Sequence, residues 1–211
     1  MMPLFVDEDA AMKTLQRCTH EQSSTGRRTL LKFAAAAPLL SVLTGFTQSG
    51  FAQSPKGVSV EELQKNWKTL LAAGADIATD ARPLKLSDDQ WKKRLSGPAY
   101  TVLRHEGTER PGSSPLDNEK RAGVFVCAGC ALPLFTSAMK FDSGTGWPSF
   151  FTTIPGAFQT SRDFKLILPR TEYHCARCGG HHGHLFDDGP KPTGQRYCNN
   201  GVALRFIPKQ A

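Results

Sequence analysis

Apolar residues Leu63, Trp67, Leu70 and Leu71 recur at a roughly helical period, and Ser59-Val-Glu-Glu62 ahead of them has the form of a capping box. A helix is predicted to open there and to end by Gly74. Ser87-Asp-Asp-Gln90 is a second capping box; the helix behind it carries Trp91 and Leu95, and Gly97-Pro98 is expected to stop it. From Tyr100 onward the period changes. Short β-type runs appear at Tyr100 to Leu103, Gly123 to Cys127, Phe150 to Ile154, Phe164 to Leu168 and Val202 to Ile207, with turn residues between them. The pattern predicts a mainly β domain wrapped by N-terminal helices.

The first fifty residues follow another rule. Arg27-Arg28 comes just before residues 33–52, a stretch with no charged residue that ends in Gly50-Phe51-Ala52. A basic segment, a modest apolar run and a small-x-small exit describe a secretory signal, and the paired arginines point to the twin-arginine route. Pro38 and Gly45 interrupt the apolar run, which is poor for a membrane span of about twenty residues. Cleavage is expected near Ala52 and the destination is the periplasm or another extracytoplasmic space, with no stable membrane anchor. The expected organisation is 1–52 signal, 53–86 linker and helical extension, and 87–208 folded β-domain.

Composition changes this picture little. The chain has 211 residues, 39% hydrophobic and 21% charged, with a formal charge of +7. Its lysines and arginines are scattered; the longest run is Lys92-Lys93-Arg94 on an expected helix face. There is no Gly-rich phosphate loop and no evident internal repeat. Export and scattered charge argue against nucleic acid as a partner, and a monomer is expected.

Six cysteines carry more information. Cys18 lies in the expected signal. Cys127-Ala-Gly-Cys130 and Cys175-Ala-Arg-Cys178 are two C-x2-C pairs with 44 residues between them. Two such knuckles complete a tetrahedral, closed, structural site with four thiolates, and zinc is the expected metal. Two disulfides are the alternative in an oxidising compartment. A C-x2-C pair closed on itself is a small strained loop, however, and a protein exported folded can load its metal first. His181, His182 and His184 crowd the second knuckle, where one could replace a thiolate, but four thiolates already suffice. A His-rich turn beside glycines then reads as acid–base chemistry or substrate hydrogen bonding. Cys198 is left over.

Gly146-Trp-Pro-Ser-Phe150, Cys175-x-x-Cys-Gly-Gly-His-x-Gly-His184 with Phe186-Asp-Asp-Gly-Pro190, and Arg196-Tyr-Cys-x-Asn200 resemble the signature blocks of the methionine-R-sulfoxide reductase B family. Gly107-Thr-Glu-Arg-Pro111 and Phe141-Asp-Ser-Gly144 match as well, and the likeness covers about residues 87–208. The resemblance implies two antiparallel sheets, a β-tent, with zinc remote from the active site. It implies Cys198 as nucleophile and Trp147 stacked on the substrate methyl group. His181, His184, Asp188, Arg196 and Asn200 would complete the pocket. Residues 87–208 are then the reductase domain, its substrate methionine-R-sulfoxide in oxidised proteins or peptides.

The chemistry read directly agrees. A sulfoxide sulfur becomes electrophilic once its oxygen is protonated; a thiolate can then attack, water or hydroxide departs, and a sulfenic acid remains as the thioether leaves. Such a thiolate needs nearby positive charge or donors, which Arg196 and the histidines can supply. The acid can be a histidine held by a carboxylate such as Asp188. The S-methyl group needs an aromatic wall, for which Trp147, locked by Pro148, is the candidate.

One position departs from the family pattern. Many members carry a resolving cysteine two residues before this tryptophan, where this chain has Thr145. The sulfenic acid is therefore expected to be reduced by an external thiol, a thioredoxin-like protein or a small thiol. Two other readings compete. A non-catalytic zinc-stapled β-tent binding module would leave Cys198 between Arg196 and Asn200 without purpose. A cysteine hydrolase would need an oxyanion hole that the sequence does not identify.

Overall fold

The structure is a computed structural model, and it describes residues 57–165 and 169–210. The expected signal, its arginines, the cleavage site and residues 166–168 of the expected Phe164–Leu168 run lie outside the described residues.

Both capping boxes form. Ser59 accepts from the Glu62 backbone N–H while the Glu62 carboxylate accepts from Ser59, opening α1 (Val60–Lys65), which tightens into a 3-10 turn at Asn66–Leu70. Ser87 and Gln90 do the same for α2 (Asp88–Arg94). Leu63, Trp67, Leu70 and Leu71 pack their partly buried side chains on the core. The run Tyr100 to Leu103 is not a strand. It lies in α3 (Gly97–His105), and Gly97-Pro98, read as a stop, begins it. The reason is local: Ser96 caps the Ala99 N–H, and proline in the first turn loses no intrahelical bond.

Among the described residues nine strands follow, in two antiparallel sheets. They are β1 (Gly123–Cys127), β2 (Pro133–Thr136), β3 (Lys140–Phe141), β4 (Ser149–Phe150), β5 (Phe158–Asp163), β6 (Arg170–Cys175), β7 (His181–Phe186), β8 (Arg196–Asn199) and β9 (Leu204–Pro208). The smaller sheet has the order β2-β1-β9, the larger β3-β4-β8-β7-β6-β5. The run expected at Phe150 to Ile154 contributes only its first residue to β4. A strand the sequence pattern did not mark, β5, ends just before the expected Phe164–Leu168 run, and Phe164 is 73% exposed. Polar β5 gave no alternating apolar signal because four of its six residues face solvent. The Val202 to Ile207 run begins as a 3-10 turn, Gly201–Ala203, before β9.

Aromatic side chains join the sheets. Phe135 of β2 stacks on Phe150 of β4 with ring centroids 3.9 Å apart, and Phe125 of β1 meets Phe150 edge-on at 5.1 Å. Phe158, Tyr173 and Tyr197 extend the aromatic layer under the larger sheet. Phe125, Phe135, Phe150 and Tyr173 are fully buried, each contributing about 1.5–3 kcal/mol of transfer free energy.

The helical wrap is tied to the two knuckles. The Arg94 guanidinium donates to the Gly129 carbonyl at 2.6 Å, Arg104 to the Cys178 carbonyl at 2.9 Å, and the Ala78 and Leu84 N–H groups to the Ala131 and Arg177 carbonyls. Trp91 and Leu103 close over the turns. A Cβ on Gly180 would lie 2.8 Å from a Leu103 methyl, so a larger residue there would have to push that leucine aside. Among the described residues no helix is long and apolar enough to cross a membrane.

Candidate active site

Cys198 lies near the middle of β8, flanked in the ladder by β4 on one side and β7 on the other. Its registered partners are Ser149 and His184; His184 is in turn paired with Glu172, and Glu172 with Ser161. Directly opposite residues project to one face of a sheet, so these five side chains form one line across it. Gly183 permits the close approach of β7 to β8, since a Cβ there would sit 1.9 Å from the Cys198 carbonyl oxygen.

A period-two strand would pair His182 with His184 and send His181 to the other face. A bulge in the β6–β7 ladder reverses this: Tyr173 pairs with Gly183, but His174 pairs with His181. His181 and His184 thereby meet edge to face, with ring centroids 5.5 Å apart. His182 turns into the core instead. It is fully buried, its Nδ1 stands 3.2 Å from the Asn199 side-chain oxygen, and burial pushes its pKa down to about 3.

Cys198, Trp147, His184, Asn200, Thr108, Arg170 and Phe186 surround a cavity of about 140 Å³. His181, Asp188 and Arg196 stand outside that lining. Trp147 is half-buried and its indole N–H donates to the Glu109 carbonyl at 3.2 Å. Glu109 also holds the opposite wall. Its N–H donates to the Asn200 side-chain oxygen, and its carboxylate accepts from the Gly201 and Val202 N–H groups at 2.6 and 2.9 Å. The Gly107–Pro111 block therefore fixes both the aromatic face and Asn200, a role that its motif match did not disclose.

The carboxylate that holds the histidine is Asp163 rather than Asp188. His184 Nε2 is 2.8 Å from Asp163 Oδ2, and the same carboxylate accepts from Arg170 at 2.6 Å. The Lys165 backbone N–H, followed by His184, holds the Asp163 carboxyl below the usual carboxylate range. An ionised Asp163 accepts a proton donor, so His184 carries its hydrogen on Nε2 and Nδ1 is left free to exchange one. Burial lowers the His184 pKa and Asp163 opposes that fall. Nothing in the sequence marked Asp163, which lies on an exposed polar strand far from every motif.

Asp188 is bound to Arg196 instead, through a fork of two 2.8 Å hydrogen bonds, and the Arg196 guanidinium lies over the Phe186 ring at 4.3 Å. Burial pushes the Cys198 thiol up, against the charge of Arg196 and hydrogen bonding to Thr145 and Arg196, which pull it down. The resting sulfur is thus a thiol with donors around it. Thr145 sits beside it and shares a hydroxyl chain with Ser143 and Ser149, each contact 2.8 Å. His181 is 1% exposed, and burial pushes its pKa down to about 4.

Cys127, Cys130, Cys175 and Cys178 are buried, unoxidised and clustered, with all sulfur atoms within 4.8 Å of one another. Cys127 and Cys178 are 3.7 Å apart, Cys130 and Cys175 3.5 Å. Metal–sulfur bonds of about 2.3 Å at tetrahedral angles require edges of about 3.8 Å, so the set fits a divalent metal. The distances are too long for disulfides, whose S–S bond is about 2.05 Å. No histidine belongs to this thiol group.

A model described as the SelR domain matches residues 95–208. The chain is 42% identical over 165 residues to peptide methionine sulfoxide reductase B1, chloroplastic, of Arabidopsis thaliana, covering 78% of this chain and 74% of that protein. It is 50% identical over 123 residues to peptide methionine sulfoxide reductase MsrB of Agrobacterium fabrum, covering 58% of this chain and 91% of the relative. With MsrB of Leifsonia xyli the identity is 49% over 125 residues, 58% of this chain and 90% of the relative. Matched through the folded β-domain, and with cysteine, tryptophan and histidine around one cavity, the chain belongs to the SelR-domain family of MsrB methionine sulfoxide reductases.

Proposed function

We propose that this protein reduces methionine-R-sulfoxide in oxidised proteins or peptides, that Cys198 is its nucleophile, and that an external thiol, thioredoxin-like or small, completes the cycle. The observation that carries this reading is the convergence of Cys198, Trp147, His184 and Asn200 on one small cavity. The indole face suits a sulfur-bound methyl group, a contact worth about 0.3–1.5 kcal/mol. His184 is the ladder neighbour of Cys198 and has Nδ1 free. It takes the thiol proton and delivers it to the sulfoxide oxygen, while Asp163 stabilises the transient imidazolium. Arg196, held by Asp188, stabilises the thiolate.

The balance closes without another reactant. The Cys198 sulfur bonds to the substrate sulfur as the protonated oxygen leaves as hydroxide or water; that oxygen then attacks the Cys198 sulfur, the S–S bond breaks, the thioether departs and Cys198 is left as the sulfenic acid. Cysteine is oxidised by two electrons and the sulfoxide reduced by two; the thiol proton ends on the sulfenic oxygen. An external dithiol then reduces Cys198 and releases water. Cys127, Cys130, Cys175 and Cys178 would hold zinc, which supplies structural cross-linking of β1 to β6 and no chemistry at the cavity. Export by the twin-arginine route, with maturation near Ala52, belongs to the same reading and is motivated by Arg27-Arg28.

Turnover of the two sulfoxide epimers in a short peptide with dithiothreitol tests the proposal. The R epimer is consumed, and Cys198→Ser abolishes the reaction with fold and metal intact. Preference for the S epimer, or full turnover by Cys198→Ser, refutes it.

A further inference from the structure

A second group of metal-type donors, none of them a thiol, converges beside His184. Glu172, His174 and His181 each offer a ligand atom, and these atoms all lie within 4.8 Å of one another. The His174 Nε2 is 3.2 Å from Glu172 Oε1, and the His181 Nδ1 is 3.4 Å from Glu172 Oε2. Charge-assisted hydrogen bonds between nitrogen and carboxylate are shorter, about 2.7–2.9 Å. The two nitrogens face different oxygens of one carboxylate, so a single ion between the rings would take Glu172 through both oxygens, at bonds of about 2.0–2.2 Å.

An independent feature points the same way. Both ring nitrogens of His181 and the Oε2 atom of Glu172 are buried and have no hydrogen-bond partner among the described residues. Buried polar atoms of this kind are rare. The other carboxylate oxygen is engaged, accepting from the Ser161 hydroxyl at 2.9 Å. His174 is partly exposed and forms the outer rim, where an ion can arrive. Asp163 and His184 adjoin the set through Glu172. The bulge that turns His181 toward His174 creates this arrangement, which no spacing of residues in the sequence encodes.

We propose that Glu172, His174 and His181 form a second divalent-cation site, distinct from the four-thiol site. Its two imidazoles and one carboxylate select a borderline ion such as Zn2+ over hard cations. A cation there pins His181 and Glu172 and places positive charge beside His184. Turnover falls when it binds, a consequence that rests on the proposed role of His184.

The test is a titration of protein already carrying one zinc on its four thiols. Further Zn2+, read by a competing chromophoric chelator, binds as a second equivalent in the micromolar range. Co2+ added in its place gives visible d–d bands without the thiolate charge-transfer band of the first site. His174→Gln weakens the second equivalent at least tenfold, keeps the first, and leaves basal turnover unchanged. In the wild type turnover falls at least fivefold as the second equivalent fills; in His174→Gln it does not. Glu172→Gln gives the same loss of binding by removing a donor from the buried side. Absence of a second equivalent, or its persistence in both variants, overturns the site. A second equivalent that fills without lowering turnover overturns the inhibitory role. Because binding is read by absorbance, an inactive protein would count against the reductase reading and leave this one to stand or fall separately.

Discussion

Replacing Arg196 with methionine removes the cation nearest Cys198 while keeping a long side chain against Phe186. In the native protein the guanidinium is 9% exposed and forked onto Asp188, and its charge pulls the Cys198 thiol down. Two unit charges about 4 Å apart attract by about 4 kcal/mol at an effective dielectric of 20, equivalent to about three pKa units. Asp188 partly neutralises that charge and itself pushes the Cys198 thiol up, so about one to two units is the net expectation. Burial already holds the thiol above its ordinary value, and each further unit lowers the thiolate fraction at pH 7 about tenfold. Arg196→Met should therefore slow alkylation of Cys198 by iodoacetamide at pH 7 by about 10- to 100-fold and displace the rate–pH curve upward by the same one to two units. Asp188→Asn should displace it downward, because it frees the guanidinium charge. An alkylation curve for folded Arg196→Met that coincides with the wild type would refute the idea that Arg196 tunes this sulfur.

Other consequences can be checked in parallel. Asp163→Asn removes the group that opposes the burial-driven fall of the His184 pKa and that would stabilise the imidazolium formed as His184 takes the thiol proton. Its kcat/KM should drop by about 10²–10⁴-fold, and the acid limb, where a resting His184 is already protonated, should move to lower pH; an unmoved profile would mean that His184 carries no proton. Removing the structural metal withdraws folding free energy on the order of 10 kcal/mol, comparable to a whole domain's stability of about 5–15 kcal/mol. A strong chelator under denaturant, or Cys127→Ser, should therefore unfold the domain; a metal-free protein with native circular dichroism and two disulfides would contradict the four-thiolate site. After one turnover without reductant Cys198 should be a dimedone-reactive sulfenic acid, and Thr145→Cys should convert it to a disulfide detectable as a loss of two hydrogens by mass spectrometry. A bridge from Cys198 to a knuckle cysteine in the wild type would show that resolution is internal. Changing Arg27 and Arg28 to Lys should trap the precursor in the cytoplasm, and normal export would remove the twin-arginine reading.

Local chemistry was legible where one residue decides one structure. Ser59 and Ser87 each announced a helix because the capping reciprocity is contained in four residues. The knuckles announced a shared four-thiol cluster because C-x2-C spacing constrains geometry directly. The run Tyr100-Thr-Val-Leu103 misled because aromatic and β-branched residues favour strands only weakly. A capped first turn with Val102 and Leu103 buried on one face overrides that preference. β5 was illegible for the opposite reason: at the edge of the larger sheet it buries almost nothing, so no hydrophobic alternation marks it.

That same illegible strand supplies the carboxylate on which the acid–base reading depends. Asp163 is the last residue of β5, and its ladder partner is Arg170, the first residue of β6. The pairing sets an anion between a fixed cation and His184, three strands along the sheet from Cys198. Motif blocks could supply the nucleophile and the histidine, because both lie on strands the motifs span. They could not supply the counter-ion, because its position is a property of register: a slip of one residue along β5 would send Asp163 to the opposite face. The histidines show the same dependence, since one bulged residue at His182 decides which two of three face the chemistry. The proposed nucleophile is thus written in the sequence, whereas the proton path proposed for it is written in the pairing of strands. The proton path is accordingly the part of this site most open to change by a substitution that touches neither Cys198 nor His184.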